Sequence, residues 1–324
     1  MGASPVPSPP SGAGRIIRDA LGAAELSADL DLIGRFFDIH FLTAALDGKQ
    51  DIVDYYNSSA IGYRFFHSGD GSIHMALNPD GRFDKDGYLG QARLVERYIK
   101  DEHSTAILEL ACGTGFNLAY LAQREPGVSF TGIDLTPRFV RRAQRVVRGH
   151  SNAKVSMGDF QKLGFSPATF DLVFVIESLC HATDMDLALR EVWRVLRPGG
   201  IFIVIDGFRQ PDFDTLDDRL KLAARLSEVS MAVTRPWNIS AWLSLAAEVG
   251  FRAESDHDLS TDVMPNLLRL RHLSNGYFNH RVVRGIAQRL ASPRLLQNAV
   301  AGRLLPVTTK LGAHTYRAIV LRRP

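Results

Sequence analysis

The run Ile107-Leu108-Glu109-Leu110-Ala111-Cys112-Gly113-Thr114-Gly115 sets a carboxylate near the end of an apolar segment and then breaks into a glycine turn. Glycines let the backbone come close to a bound group, and the helix opened by such a turn aims its free N–H groups at the same place. Nineteen residues past Gly115, a second apolar run, 128–133, closes on Asp134. A strand-end carboxylate at that distance can accept both hydroxyls of a ribose. A nicotinamide dinucleotide would need a third small residue three past Gly115, and that position is Leu118, too large for close helix-to-strand packing against a pyrophosphate.

Alternating strands and helices must position these residues. Short apolar runs predict strands near 105–110, 128–134, 153–157, 171–176, 200–206 and 252–257, with a returning strand at 315–321. Ala188, Val192 and Val195 recur at helical spacing, and Leu196-Arg197-Pro198-Gly199-Gly200 stops that helix before the fifth strand. The pattern is α/β with a mostly parallel sheet. Helical insertions are expected near 211–236 and 263–305. Residues 15–100, with the aromatic cluster Tyr55, Tyr56, Tyr63, Phe65 and Phe66 and a Gly- and Asp-rich loop from Gly69 to Gly87, are expected to form a helical cover over the strand ends, ahead of a main domain at 101–324.

The chain of 324 residues is 45% hydrophobic and 23% charged, enough to bury a full core. Residues 1–14 hold four prolines and no charge, which predicts a disordered tail and neither a signal peptide nor a myristoylation site. No apolar run is long enough for membrane insertion. Two cysteines, Cys112 and Cys180, make no disulfide framework and point to a reducing, cytoplasmic setting; Cys112 reads as a small packing residue. The net charge of +3 is uneven: from Val263 to Pro324 there are eleven Lys and Arg and no Asp or Glu, so the rest of the chain stands at −8. Such a block points to an anionic partner. It lacks the Lys- and Gly-rich arms of an RNA-binding module, so a nucleic acid is the weaker choice.

Glu109 to Gly115, Asp134, Gly158-Asp159-Phe160 and Leu196 to Gly200 fall in an order and spacing that resembles the class I S-adenosylmethionine-dependent methyltransferases, over about half of the chain. The resemblance implies a Rossmann-like fold with a seven-stranded, mostly parallel sheet. It also implies a cofactor held by Glu109, Gly113, Gly115, Asp134, Asp159 and Phe160. Ala111 stands where the family often has its first glycine, a change of little cost while φ stays negative.

The fourth strand and its exit, Phe170 to Ile176 and then Glu177-Ser178-Leu179-Cys180-His181, resemble the branch that methylates carbon in sterols and prenyl diphosphates. Tyr56 and Gln91 are similar to residues that hold the methionine end of the cofactor in that branch. A methyl group added to an alkene leaves a carbocation that must lose a proton, so the chemistry needs a carboxylate beside aromatic faces. The resemblance therefore implies Glu177 as base and His181 as its orienting or packing neighbour, with Tyr63, Phe66, Phe208 and Trp237 as the wall. Arg281, Arg284 and Arg289 share a broad helical half and suit a diphosphate, with Mg2+ as its counterion. The expected acceptor is thus an anionic isoprenoid, geranyl diphosphate above all. A sterol, or an acceptor methylated on oxygen or nitrogen, is the alternative, and a homo-oligomer is compatible with either. No metal-ligand spacing is legible.

Overall fold

The computed structural model describes residues 12–44, 68–233 and 235–324. Seven strands, β1 (Ala106–Leu110), β2 (Ser129–Asp134), β3 (Ala153–Met157), β4 (Phe170–Ile176), β5 (Leu196–Arg209), β6 (Arg252–Asp258) and β7 (His314–Arg322), form one sheet in the order β3-β2-β1-β4-β5-β7-β6. All neighbours run parallel except β7, which is antiparallel to both β5 and β6. This is the Rossmann-like class I methyltransferase sheet. Order reverses between β1 and β4, so the carboxyl ends of those two strands border the crevice where such sheets bind ligands.

Strand residues alternate between two apolar layers. Ile107, Phe130, Leu172, Phe174 and Ile203 meet the helices Gly90–Asp101, Phe116–Arg124 and Pro137–Val146 on one face. Leu108, Leu110, Val173, Val175 and Phe202 meet the helices Met185–Val195 and Ile239–Val249 on the other, where Trp242 is wholly buried. In chain order, Gly12–Gly34 and Ile39–Ala44 are α1 and α2, the five helices just named are α3 (Gly90–Asp101), α4 (Phe116–Arg124), α5 (Pro137–Val146), α6 (Met185–Val195) and, after α7 (Asp218–Ser230), α8 (Ile239–Val249). Three more, α9 (Ser260–Asn279), α10 (Arg281–Leu290) and α11 (Pro293–Lys310), make up the second insertion.

α1, α7, α9 and α11 share a third apolar core around Leu30, Ile33, Ala224, Phe278 and Leu304. The insertions and the N-terminal helix therefore close over the sheet as one helical cap. α1 begins at Gly12, inside the stretch expected to be a tail, and α3 packs on the sheet although it falls within the expected cover. The rest of the tail, together with Tyr55, Tyr56, Tyr63, Phe65 and Phe66, lies outside the described residues.

Leu118 is buried against β2, and a Cβ built on Gly132 would come within 2.3 Å of Leu118 Cδ1 and 2.9 Å of Cys112 Sγ. Helix α4 thus approaches the sheet closely despite its leucine, because the strand supplies the missing volume. Gly132→Ala is expected to destabilise the fold by about 1–3 kcal/mol through overpacking. Adding Leu118→Ala should make the pair less harmful than the sum of the two single variants, as measured by chemical denaturation.

Candidate active site

Four neighbouring strands, β2, β1, β4 and β5, each carry a carboxylate near the same edge of the sheet: Asp134, Glu109, Glu177 and Asp206. Burial pushes all four up from the usual carboxylate range, Glu109 to about 8, Glu177 to about 8 and Asp206 to about 6. Each pair adds like-charge repulsion, Asp134 on Glu109 and Asp206 on Glu177. The edge is built to receive positive charge.

At the glycine turn, Gly113 and Gly115 hold φ of +54° and +80°, and Ala111 holds +49°, so the alanine does not keep the negative φ that would make it cheap. A left-handed alanine stores strain of about 1–2 kcal/mol. Asp134 Oδ2 accepts from the Gly113 N–H at 2.9 Å and Oδ1 from the Thr136 N–H at 2.8 Å, and the Thr136 hydroxyl also donates to the carboxylate, which thus braces the turn. Asn117 Nδ2 donates to Glu109 Oε1 at 3.0 Å, while Oε2, also buried, has no partner among the described residues. Asp159 Oδ1 accepts from the Gln161 N–H at 2.8 Å, and Phe160 packs half-buried on the second core. A cradle of left-handed backbone, a braced carboxylate and an orphaned buried oxygen fits a cofactor bearing hydroxyls and a positive charge.

The Gly69–Gly87 loop does cover the strand ends. Thr114 Oγ1 donates to Gly71 O at 2.6 Å, and a Cβ on Gly113 would lie 2.7 Å from Ile73 Cδ1. Asn266 of α9 holds the loop by accepting from the Ala76 N–H at 3.1 Å.

Glu177 leaves β4 with φ of +47°, a second strained residue level with the first. The Met75 N–H and the Tyr316 hydroxyl both donate to its Oε1, at 2.7 and 2.6 Å, and among the described residues Oε2 makes no hydrogen bond. Gln91, expected at the cofactor, donates from Nε2 to Met75 O at 2.7 Å and to the Tyr316 hydroxyl at 3.1 Å, while its buried Oε1 has no partner among the described residues. Enclosure brings the His181 imidazole down to about 4, and the ring hydrogen-bonds the Ala232 backbone. The buried thiols of Cys112 and Cys180 are pushed well above their ordinary range, as befits packing residues.

Glu177, His181, Asp206 and Phe208 line a cavity of about 870 Å³ whose opposite wall is apolar and comes from the helical cap. Phe208 stacks at 5.4 Å on Trp242. Trp237 is half-buried in the second core and leaves the wall to Pro236. Tyr63 and Phe66 lie outside the described residues. Tyr316 and Met75 carry no sequence signal, one lying mid-strand and the other acting through its backbone. Asp206 does: it ends the apolar run Ile201–Ile205 as Asp134 ends its own.

The arginines expected to grip a diphosphate do not line the cavity. α10 turns Val283, Ile286, Ala287 and Leu290 toward it, while Arg281 and Arg289 are exposed on the other side. Arg284 caps α9 by donating to Phe278 O at 3.0 Å and lies over the Phe36 ring. Four others of the basic block pair with acids from earlier in the chain. Arg271 and Arg303 share the buried Asp29, Arg317 pairs with Asp256 and Asp258, and Arg322 with Glu102 and Glu254. Arg209, the arginine that does line the cavity, is bound bidentately by buried Glu228, which also accepts from His314 Nε2 at 3.1 Å. Among the described residues no three acidic, His or Cys side chains converge to hold a metal, and no helix is long and apolar enough to cross a membrane.

A methyltransferase domain model matches residues 108–204. The chain is 25% identical over 255 residues to a sterol 24-C-methyltransferase of Kluyveromyces lactis, covering 74% of this chain and 67% of that protein. It is 30% identical over 168 residues to an S-adenosyl-L-methionine-dependent Diels-Alderase of Talaromyces variabilis, covering 49% of this chain and 57% of that one. A geranyl diphosphate methyltransferase in complex with geranyl diphosphate and sinefungin superposes with a TM-score of 0.63 at 15% identity, over 85% of this chain and 98% of its own. At that identity the last likeness speaks for the fold alone.

Asp29, 1% exposed, neutralises two arginines that are themselves largely buried. Asp29→Asn is expected to destabilise the protein by about 3 kcal/mol, because it leaves the buried Arg303 guanidinium without an acid and Arg271 with only the more exposed Glu25. Denaturant titration of the variant checks this.

Proposed function

We propose that the chain, whose methyltransferase domain is similar to that of sterol C-methyltransferases, methylates carbon in an apolar isoprenoid with S-adenosylmethionine as donor. Gly113, Gly115, Glu109, Asp134, Asp159 and Phe160 would hold the cofactor. Bound there, S-adenosylmethionine supplies an electrophilic methyl group. Glu177 removes the proton that the methylated skeleton must shed.

The observation that carries the reading is Glu177 itself: one oxygen pinned by two donors, the other without a hydrogen bond among the described residues, on a side chain that lines a large, mostly apolar cavity beside a second carboxylate. An alkene that gains a methyl group becomes cationic at the neighbouring carbon. Glu177 and Asp206 favour that charge, the apolar walls keep out water that would trap it, and Phe208 presents an aromatic ring to it. A positive charge arriving beside Glu177 also draws its proton affinity down, so the carboxylate ionises in the complex more readily than in the free protein.

The acceptor best suited to this cavity is a sterol-like or prenyl skeleton without a diphosphate. Among the described residues the one cavity arginine, Arg209, is already committed to Glu228, and the pair is neutral overall. A prenyl diphosphate stays the alternative, supported by the fold neighbour that binds geranyl diphosphate. It would bring its own Mg2+ in place of a protein-built metal site. A second reading is favoured by the Diels-Alderase relative: the cavity folds a polyene and the cofactor keeps its methyl group.

Incubation with methyl-labelled S-adenosylmethionine and a panel of a sterol, prenyl alcohols and prenyl diphosphates separates the three. Label is expected in a neutral isoprenoid, bound to carbon; label in the diphosphates alone selects the alternative, and cyclisation without label selects the cyclase. Glu177→Gln is expected to lower turnover about 100-fold or more. An acceptor methylated on oxygen or nitrogen would leave turnover nearly intact.

The raised proton affinity fixes the sign of the pH effect. Glu177 is protonated, and useless as a base, below about 8, so kcat/KM rises with pH and levels off above that value. Tyr316→Phe, which removes a hydrogen bond that favours the ionised form, should move the rise to higher pH.

A further inference from the structure

We propose that α10, Arg281–Leu290, seats the protein on an anionic lipid bilayer, with its apolar arc entering the interface beside the mouth of the cavity. The helix contains no buried residue. Val282, Val283, Ile286 and Leu290 are 73%, 47%, 54% and 83% exposed, a concentration of large apolar side chains met in no other element among the described residues. A ten-residue helix with so little packing is marginal in water and is stabilised by whatever covers its apolar face.

Its two faces are cleanly divided. At about 100° per residue, Val282, Ile286, Leu290, Val283 and Ala287 occupy one arc of about 140°, and Arg281, Arg284, Gly285, Gln288 and Arg289 the remainder. Short helices of this kind lie in the plane of a membrane interface, the apolar face among the acyl chains and the arginines at headgroup level. Charge selects the lipid. Arg281 and Arg289 are exposed and make no ion pair among the described residues, whereas Arg271, Arg303, Arg317 and Arg322 spend theirs on Asp29, Asp256, Asp258, Glu102 and Glu254. No acid lies anywhere on α10, or in the chain after it, to repel a phosphate surface.

Position gives the docking a purpose. Val283, Ile286 and Leu290 also line the acceptor cavity, so the edge that enters the lipid is continuous with the wall of the site. A neutral isoprenoid dissolved in the bilayer would reach Glu177 without crossing water. Only this delivery role rests on the function proposed above; the docking itself does not.

The test is co-sedimentation of the full chain with vesicles of phosphatidylcholine alone and of equal parts phosphatidylcholine and phosphatidylglycerol. Binding is expected to the anionic vesicles, weakly or not at all to the neutral ones, and to fall at about 0.5 M salt, where screening acts over a few ångströms. Val282→Glu, a substitution at an exposed residue off the cavity, should lower binding by at least tenfold while leaving the thermal midpoint and methylation of a detergent-solubilised acceptor unchanged. Arg281→Ser with Arg289→Ser should weaken binding by about fivefold per arginine. Equal binding to both vesicle types, no binding by the unaltered protein, or binding indifferent to these variants would overturn the proposal. So would a dimer in sedimentation velocity that Val282→Glu dissolves, since a second copy would then be the occupant. No acceptor enters the vesicle assay, so its failure leaves the methylation reading standing.

Discussion

Removing a carboxylate from water costs more than one or two hydrogen bonds return, and this protein does so four times along one edge of one sheet. Asp134, Glu109, Glu177 and Asp206 stand at the ends of adjacent strands, and no Lys lies among the residues that bind them. The folded chain could relieve the strain by admitting a cation or by protonation, and the upward shifts at Glu109 and Glu177 show it held at that balance. A site of this kind is preorganised for charge that arrives with its ligands. Most of what surrounds it can be read as the means of keeping it dry and rigid.

Rigidity comes from the sheet, dryness from the cap. The two left-handed residues that are not glycine on these strand ends, Ala111 and Glu177, stay in place because β1 and β4 are paired on both sides and buried above and below. Such strain persists only where the surroundings over-determine it. The cap has a different origin: three insertion helices and the N-terminal helix meet around their own core, locked electrostatically by Asp29 between Arg271 and Arg303. Its inner surface is then mostly apolar, and its Glu228 is closed on Arg209. The contrast between a strained, polar floor and a mostly apolar roof is what recommends the cavity for the proposed acceptor, an apolar molecule that turns cationic.

Much of this was legible in the sequence, and the reasons for the misses are specific. All seven strands fall within a few residues of their expected places, most because they are short apolar runs bounded by turn residues, and β3 matches at both ends; β6, polar and largely exposed, is the exception in composition. The glycine turn, the strand-end carboxylates and the covering loop carry local signals too. What one dimension could not give was partnership. Leu118 reads as an obstacle until Gly132 is seen beside it, and the acid-free C-terminal block reads as an anion site until Asp29, Glu102 and Asp256 are seen to come from elsewhere in the chain. Nor could one dimension show that the Gln91 amide nitrogen is tied to Met75 O and the Tyr316 hydroxyl. Tyr56, Tyr63 and Phe66 lie beyond the described residues.

The asymmetry of the Glu177 carboxylate bears on its role more directly than its burial does. A carboxylate that only holds a substrate hydroxyl gains nothing from loading both protein donors onto one oxygen. Here Met75 N–H and the Tyr316 hydroxyl both point at Oε1, which leaves that oxygen with little capacity to carry a proton as well. When the group is neutral its proton must therefore sit on Oε2, the oxygen without a donor among the described residues. The two protonation states then differ at one atom, without rotation of the side chain and without breaking either hydrogen bond. Proton transfer to Oε2 thus needs almost no reorganisation, which is the condition a base must meet if a short-lived cation is to lose its proton before it rearranges.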